Sequence, residues 1–303
     1  MSIFQKQFLH PRYWPSWVGL GLMRLSIYLP VRMQLWAGHM IAWLITPLSA
    51  ARRQVAKRNL ELCFPELTPE QREDLLEANM RTMGMLLIET ALSWWASGQS
   101  LEKRVRYEGL EHLEAGLAAG KGVILLTGHF TSMELGGRLM MLKQPCYVMF
   151  RPLKNPLFNA VMINARTYHS EGIVLQDDPR GMVRALRKNK VVWYAPDQDY
   201  GRKQSIFAKF FGLTAATVPA TARLVKMSKA KVIPFVPRRE ADGTYVLSLS
   251  PALENFPTGD EVADAQSIND LIEKEVRQTP AQYYWVHRRF KTQPEGKKGT
   301  LYK

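Results

Sequence analysis

Short apolar runs alternate with helix-periodic stretches over most of the chain. Val123 to Leu126, Tyr147 to Phe150, Val191 to Ala195, Val232 to Val236 and Tyr245 to Leu249 read as buried strands. Between and around them, residues 133–143, 156–169, 179–189, 217–229 and 264–278 read as helices. Residues 68–95 form a longer one. Thr68 suits its N-cap, Pro69 its first position, and Gln71 completes a capping box. Leu75, Leu76, Met80, Met83, Leu87 and Ala91 recur on one face of that helix, which is expected to pack into a core. Alternation of this kind predicts an α/β domain with a central, largely parallel sheet flanked by helices. Active sites in such sheets lie in the loops after the carboxyl ends of the strands.

The first 58 residues differ. Trp14 to Val31 is apolar apart from Arg24, two serines and the prolines, and Met33 to Ala51 carries no charged side chain. Both runs fall short of a clean transmembrane helix of about 20 apolar residues. Four of the eight tryptophans lie here, as in an interfacial belt. The segment has no cleavage site of the kind that ends a secretory leader. It reads as a hydrophobic, membrane-anchoring helical segment (residues 1–58) ahead of a catalytic domain (residues 59–303); two buried helices of the same domain are the plainer alternative. Arg52, Arg53, Lys57 and Arg58 follow it, and the positive-inside tendency places the remainder on the cytoplasmic face.

The charge pattern sharpens this picture. The net charge is +14, yet residues 61–280 are nearly neutral. The excess sits in residues 1–60, which hold no Asp or Glu, and in residues 281–303. Basic ends suit a membrane surface, a nucleic acid or an acidic partner. The run Tyr283 to Lys291 mixes aromatic and basic residues and fits either RNA or a lipid headgroup. Two cysteines, Cys63 and Cys146, with no C-x-x-C pair, exclude a disulfide scaffold and argue against a cysteine zinc site.

Three segments that follow strands carry candidate chemistry. In Leu126-Thr127-Gly128-His129-Phe130-Thr131-Ser132-Met133-Glu134, Gly128 lets the chain turn and a helix follows. Residues five apart on one helix are separated by about 140°. His129 therefore meets Glu134 only if His129 lies in the turn and Glu134 on the first helical turn. A carboxylate on one imidazole nitrogen would make the other a general base for a hydroxyl nucleophile. A buried His bonded to nearby backbone is the alternative. No G-x-S-x-G elbow is present, and Cys146 lies in an apolar strand, so a covalent enzyme intermediate is not expected. In the second segment, Arg151 leaves a strand beside Pro152, and Lys154 precedes a helix opened by Pro156. An Arg with a nearby Lys suits phosphate recognition, and a surface ion pair is equally open. The third, Pro196-Asp197-Gln198-Asp199-Tyr200-Gly201-Arg202, offers an Asp-x-Asp that could hold a divalent metal, or an Asx turn closed by Gly201.

Taken in order, these blocks resemble the late acyltransferases of lipid A biosynthesis. The resemblance rests on His10-Pro11-Arg12-Tyr13-Trp14, Asn59 to Pro65, the H-x4-E element from His129 to Glu134, Arg151-Pro152, Pro196 to Gly201, and His287-Arg288-Arg289-Phe290-Lys291-Thr292. Tyr200 and the Arg-Arg-Phe-Lys-Thr run look more like the lauroyl/palmitoleoyl branch than the myristoyl one. The resemblance implies a glycerolipid-acyltransferase-like fold in an enzyme of the bacterial inner membrane, facing the cytoplasm. It would move a fatty acyl group, lauroyl or alternatively palmitoleoyl, from acyl carrier protein to a hydroxyl on a 3-hydroxyacyl chain of the lipid A precursor Kdo2-lipid IVA. His129 would be the base with Glu134 its partner. Arg151, Asp197, Lys154 and Arg202 would bind substrate, with no metal, no cofactor and no nucleic acid. Rival readings are a glycerol-phosphate-type acyltransferase, a metal-dependent membrane glycosyltransferase using Asp197 and Asp199, and a basic membrane-associated nucleic-acid-binding protein.

Overall fold

The structure, a computed structural model, describes residues 5–294 and 300–302. Lys297, Lys298 and Lys303 of the basic C-terminal end lie outside the described residues. The helices are α1 (Trp14–Ser26), α2 (Val31–Leu48), α3 (Ala50–Cys63), α4 (Pro69–Trp95), α5 (Gly98–Glu102), α6 (Leu110–Ala118), α7 (Met133–Met140), α8 (Pro156–His169), α9 (Pro179–Arg187), α10 (Ala220–Ser228) and α11 (Glu261–Gln278). The strands are β1 (Val105–Glu108), β2 (Val123–Leu126), β3 (Cys146–Phe150), β4 (Gly172–Leu175), β5 (Val191–Tyr194), β6 (Ile206–Phe210), β7 (Leu213–Thr217), β8 (Lys231–Arg239) and β9 (Tyr245–Leu249).

Seven strands form one sheet in the order β1-β9-β8-β2-β5-β3-β4. The five from β8 to β4 are mutually parallel; β9 runs antiparallel to β8 and carries β1 parallel to itself. The sheet is covered on both faces, and β2 and β5 are buried along their whole length, as expected of a parallel sheet. Ile124 and Leu126 face a core shared with α3, α9, α10 and α11. Val123 and Leu125 face the opposite core, made with α4, α5 and α7. The predicted strands and helices all occur, and Thr68 and Gln71 form the capping box of α4. β1 and β4, the two sheet edges, and the antiparallel hairpin β6–β7 were not predicted, nor were α3, α5 and α6.

The N-terminal helices α1 and α2 lie against α4 and α8. Gly38 and Gly84 bring the backbones of α2 and α4 into contact: a Cβ on Gly84 would stand 2.1 Å from the Gly38 carbonyl oxygen. α3 runs continuously through residues 58 and 59. Among the described residues, no helix is long and apolar enough to cross a membrane. Twelve of the eighteen exposed large apolar side chains among the described residues nevertheless fall between Leu9 and Leu48, so the surplus is local and belongs to one region. On α1 it is a stripe of Trp14, Val18, Leu22 and Leu25; on α2 it comprises Met33, Trp36, Trp43, Leu44, Ile45 and Leu48. In the basic cluster that follows, Arg53 pairs with Glu73 and Arg58 with Glu61, while Arg52 is exposed.

The chain after α11 folds back across the carboxyl ends of the strands as a strap. Asn79 donates its side-chain N–H groups to the Ala281 and Tyr283 carbonyls, both at 2.8 Å. Asn59 donates to Trp285 and His287 carbonyls at 2.6 and 2.8 Å. Asp199 accepts from the Thr292 amide and hydroxyl, both at 2.9 Å. The Asp199 amide donates to His287 Nε2 at 3.1 Å, which requires that nitrogen to be unprotonated. Burial, outweighing the attraction of Asp197, pushes the His287 imidazole down to about 4. The unfolded chain would protonate His287 below about pH 6.5, the folded chain only below about 4. Between those values the unfolded state holds more protons, so stability falls as pH is lowered. Chemical unfolding across that range should lose up to roughly 3 kcal/mol from this group. His287→Gln, which can still accept the Asp199 N–H, should flatten the pH dependence; an unchanged slope would remove His287 as its source.

Candidate active site

The register of the sheet assembles the site. Leu126 pairs with Tyr194 at the carboxyl ends of β2 and β5. Three residues past each of them stand His129 and Asp197, and β3 delivers Arg151 one strand further along. The three chemistry-bearing segments therefore meet at one end of three adjacent parallel strands.

The carboxylate against His129 is Asp197. Asp197 Oδ1 lies 2.5 Å from His129 Nδ1, and Asp197 Oδ2 accepts the His129 backbone N–H at 2.8 Å. The Tyr283 hydroxyl donates to the same Oδ2 at 2.7 Å. Asp197 is 2% exposed. Burial works to raise its pKa, but pairing with His129 and the hydrogen bonds from His129 and Tyr283 together hold the carboxyl well below the usual carboxylate range. Burial and the neighbouring Asp197 charge keep Tyr283 protonated, its pKa pushed far up. Asp197 is thus a fixed anion that selects the Nδ1–H tautomer of His129. This leaves Nε2 as the basic nitrogen, on a side chain 22% exposed.

The expected His129–Glu134 partnership is not formed. Glu134 sits on the first turn of α7, as predicted, but its carboxylate is taken by other groups. Arg166 of α8 donates Nε to Oε1 at 3.2 Å and Nη2 to Oε2 at 2.5 Å, and the Trp94 indole N–H of α4 donates to Oε1 at 3.1 Å. Against the cost of burial, the Arg166 charge and these hydrogen bonds lower the Glu134 pKa. The physical reason is directional: His129 is bound through both its amide and Nδ1 to the adjacent strand end, and Glu134 points back between α4 and α8. Gly128 also has a different role from the one expected. Its φ is not left-handed; a Cβ there would lie 3.1 Å from Ile272 and 3.4 Å from Asp197 Oδ2. The need is for room beside the buried carboxylate.

Arg151 and Lys154 are exposed at the rim. The Arg151 charge is close enough to act on the Tyr200 phenol, whose pKa burial and Asp197 raise. Asn155 caps α8 and donates to Ser16 Oγ of α1 at 2.9 Å, tying this rim to the N-terminal helices. Arg202 donates to the Gln293 carbonyl at 2.6 Å and lies over the Phe207 ring, so it braces the strap. Asp199 does not share a site with Asp197. It forms the Asx turn with the Gly201 amide at 2.8 Å, where Gly201 has φ +83°, and it holds Thr292. Cys146 is buried, and burial pushes its thiol up to about 12, which suits packing rather than nucleophilic attack.

Sequence reasoning did not anticipate Tyr283, Arg166 or the buried Arg289 in these roles. Arg289 donates to the Ala216 carbonyl and the Thr217 hydroxyl and fixes the strap onto β7. The pairing of His129 with Asp197 did have a signal: each lies the same number of residues beyond an apolar four-residue run.

Comparison with known proteins bears on this geometry. A sequence profile described as "Bacterial lipid A biosynthesis acyltransferase" matches residues 1–292. The chain is 41% identical to the lipid A biosynthesis palmitoleoyltransferase of Escherichia coli (strain K12) over 97% of this chain and 96% of the relative. It is 37% identical to the lauroyltransferase of that organism over the same shares. With the myristoyltransferase it shares 28%, over 97% of this chain and 92% of the relative. The preference for the lauroyl/palmitoleoyl branch read from Tyr200 and the C-terminal run agrees with that ordering. A match of this extent, on a chain whose His129 is held by a buried carboxylate at the strand ends, places the protein in the lipid A biosynthesis acyltransferase family.

Proposed function

We propose that the protein transfers a lauroyl or palmitoleoyl group from acyl carrier protein to a hydroxyl of a 3-hydroxyacyl chain on Kdo2-lipid IVA, with His129 as the general base. The observation that supports this most directly is the Asp197–His129 pair, which engages Nδ1 and leaves Nε2 without a hydrogen-bond partner among the described residues, on a side chain 22% exposed. In this reading Nε2 removes the proton from the acceptor hydroxyl as its oxygen attacks the thioester carbonyl. A tetrahedral intermediate forms. It collapses with loss of the carrier thiolate, which takes the proton back from His129. The C–S bond breaks, a C–O ester bond forms, and the free thiol leaves. Asp197 stabilises the transient imidazolium, as an aspartate does beside a catalytic histidine. No enzyme nucleophile is required.

Glu134 acts as a positioning residue. By joining α7 to α8 and α4 it fixes the turn that carries His129. Arg151 and Lys154, exposed beside the dyad, suit the phosphates of the acceptor. The apolar stripes of α1 and α2 suit insertion into the interfacial layer of a bilayer, the tryptophans at headgroup depth. The N-terminal segment then lies in the inner membrane's cytoplasmic face while the strand ends meet substrate there. The nearly neutral body and basic rim leave an acidic carrier protein free to approach by charge.

The test is a transfer assay read by mass spectrometry. Protein in detergent is offered Kdo2-lipid IVA and acyl carrier protein thioesters from C10 to C16. One added C12 or C16:1 group is expected; no increment with any donor, from folded protein, would overturn the reading. His129→Ala should abolish transfer. Asp197→Asn should lower kcat by about 10^3- to 10^4-fold, the scale seen when a histidine's aspartate is neutralised, and should alter the pH profile. Glu134→Gln should lower kcat with an unshifted profile, and Arg151→Ala should raise the acceptor KM more than the donor KM. Near-normal turnover in His129→Ala or Asp197→Asn would exclude the dyad. Replacing Leu22, Leu25, Trp36 and Trp43 with serine should reduce binding to lipid vesicles at least tenfold with unchanged circular dichroism; undiminished binding would move the membrane contact elsewhere.

A further inference from the structure

Behind the site, on the other face of the sheet, a cleft of about 560 Å³ opens between α1, α4, α7 and α8. Arg24, Trp94, Trp95, Arg138, Tyr168 and His169 line it, and among the described residues no Asp or Glu does. Arg138 is the unusual member. It is only 9% exposed, it makes no ion pair or hydrogen bond among the described residues, and its Nε is buried without a partner. A buried guanidinium that lacks an acceptor is costly unless something supplies one. Next to it a smaller chamber holds the indole N–H of Trp193, which is also buried and unpartnered. The carboxylate that faces this chamber, Glu134, is already spent on Arg166 and Trp94. Arg138 therefore presents a buried donor to this cleft and has no internal acceptor among the described residues.

Two features describe what fits. Arg24 stands at the mouth, donating to the Trp95 carbonyl at 3.2 Å and stacked near the Trp95 ring, so a second guanidinium faces the same space. Two guanidiniums and no carboxylate match a phosphate, which arginine binds through paired hydrogen bonds. The cleft is far larger than a phosphate ion, its walls include Trp94, Val161 and Ala165, the exposed Leu22 and Leu25 adjoin Arg24 on α1, and the exposed Tyr28 follows that helix. We propose that this cleft binds the phosphate headgroup of a lipid, with Arg138 as the inner contact and the lipid tail running along the exposed face of α1. This site is separate from the His129–Asp197 pair and does not depend on the reaction assigned to it.

The experiment is a calorimetric titration of the full chain in non-ionic detergent and phosphate-free buffer, with dihexanoyl phosphatidic acid and, separately, inorganic phosphate. Saturable binding of the lipid is expected. It should weaken at least tenfold in Arg138→Gln and recover partly in Arg138→Lys. Asn164→Trp, at an exposed position on the cleft wall, should block it without disturbing the core, and it decides the matter if the Arg138 variants do not fold. Inorganic phosphate should bind at least tenfold more weakly. Equal affinity for inorganic phosphate would keep the oxyanion site and overturn the lipid occupant. No saturable binding of either ligand, or unchanged affinity in the folded variants, would overturn the site itself.

Discussion

A carboxylate buried to 2% exposure must be fully hydrogen-bonded or it will not stay ionised, and the architecture around Asp197 follows from that requirement. Its partners come from two distant parts of the chain: His129 through amide and ring, and Tyr283 through its hydroxyl. Tyr283 is in place only because the strap is in place. The strap is in turn held by Asn59, Asn79, Asp199 and Arg289, from α3, α4, the β5 loop and the strap itself. Much of the polar network on this side of the sheet thus serves one anion, and through it one imidazole tautomer.

Much of the frame was legible in the sequence because it is local. The four-residue apolar runs of β2 and β5 are too short and too β-branched or aromatic for helices, and Thr68, Pro69 and Gln71 announce α4 by their own side chains. What escaped reading depends on partners far away. β1 alternates half-buried and exposed residues, and β4 is an edge with one buried residue, so neither shows a continuous apolar run. The β6–β7 hairpin turns at Phe211-Gly212, both with positive φ. Asn-Gly is the usual signature of such a turn, and a phenylalanine there gives no warning. Phe211 is held by contacts no local window contains: the Phe64 and Trp285 rings, the Arg277 guanidinium 4.4 Å above its ring, and the Glu273 carboxylate on its amide.

The site was legible in part for the same reason. His129, Asp197 and Arg151 stand out by position after strands. Which carboxylate meets His129 is a matter of strand order, and sequence proximity favoured Glu134. With β2 and β5 neighbours in register, the residue 68 positions away is nearer than the one five away. Glu134 keeps a conspicuous place in the sequence because it joins three helices at the turn, where loss of Arg166 would leave Oε2 without its partner.

The strap has a consequence for how the protein comes into being. Chains are made from the amino end, so α1 and α2, with their outward apolar stripes, emerge before the strands that carry the site. Tyr283 and Thr292 emerge after His129, Arg151, Asp197 and Asp199. Until then Asp197 and Asp199 lack the partners that fix them. On the function proposed above, a nascent chain can meet a bilayer before Asp197 has its full set of partners, so that delivery precedes activation by the order of synthesis alone.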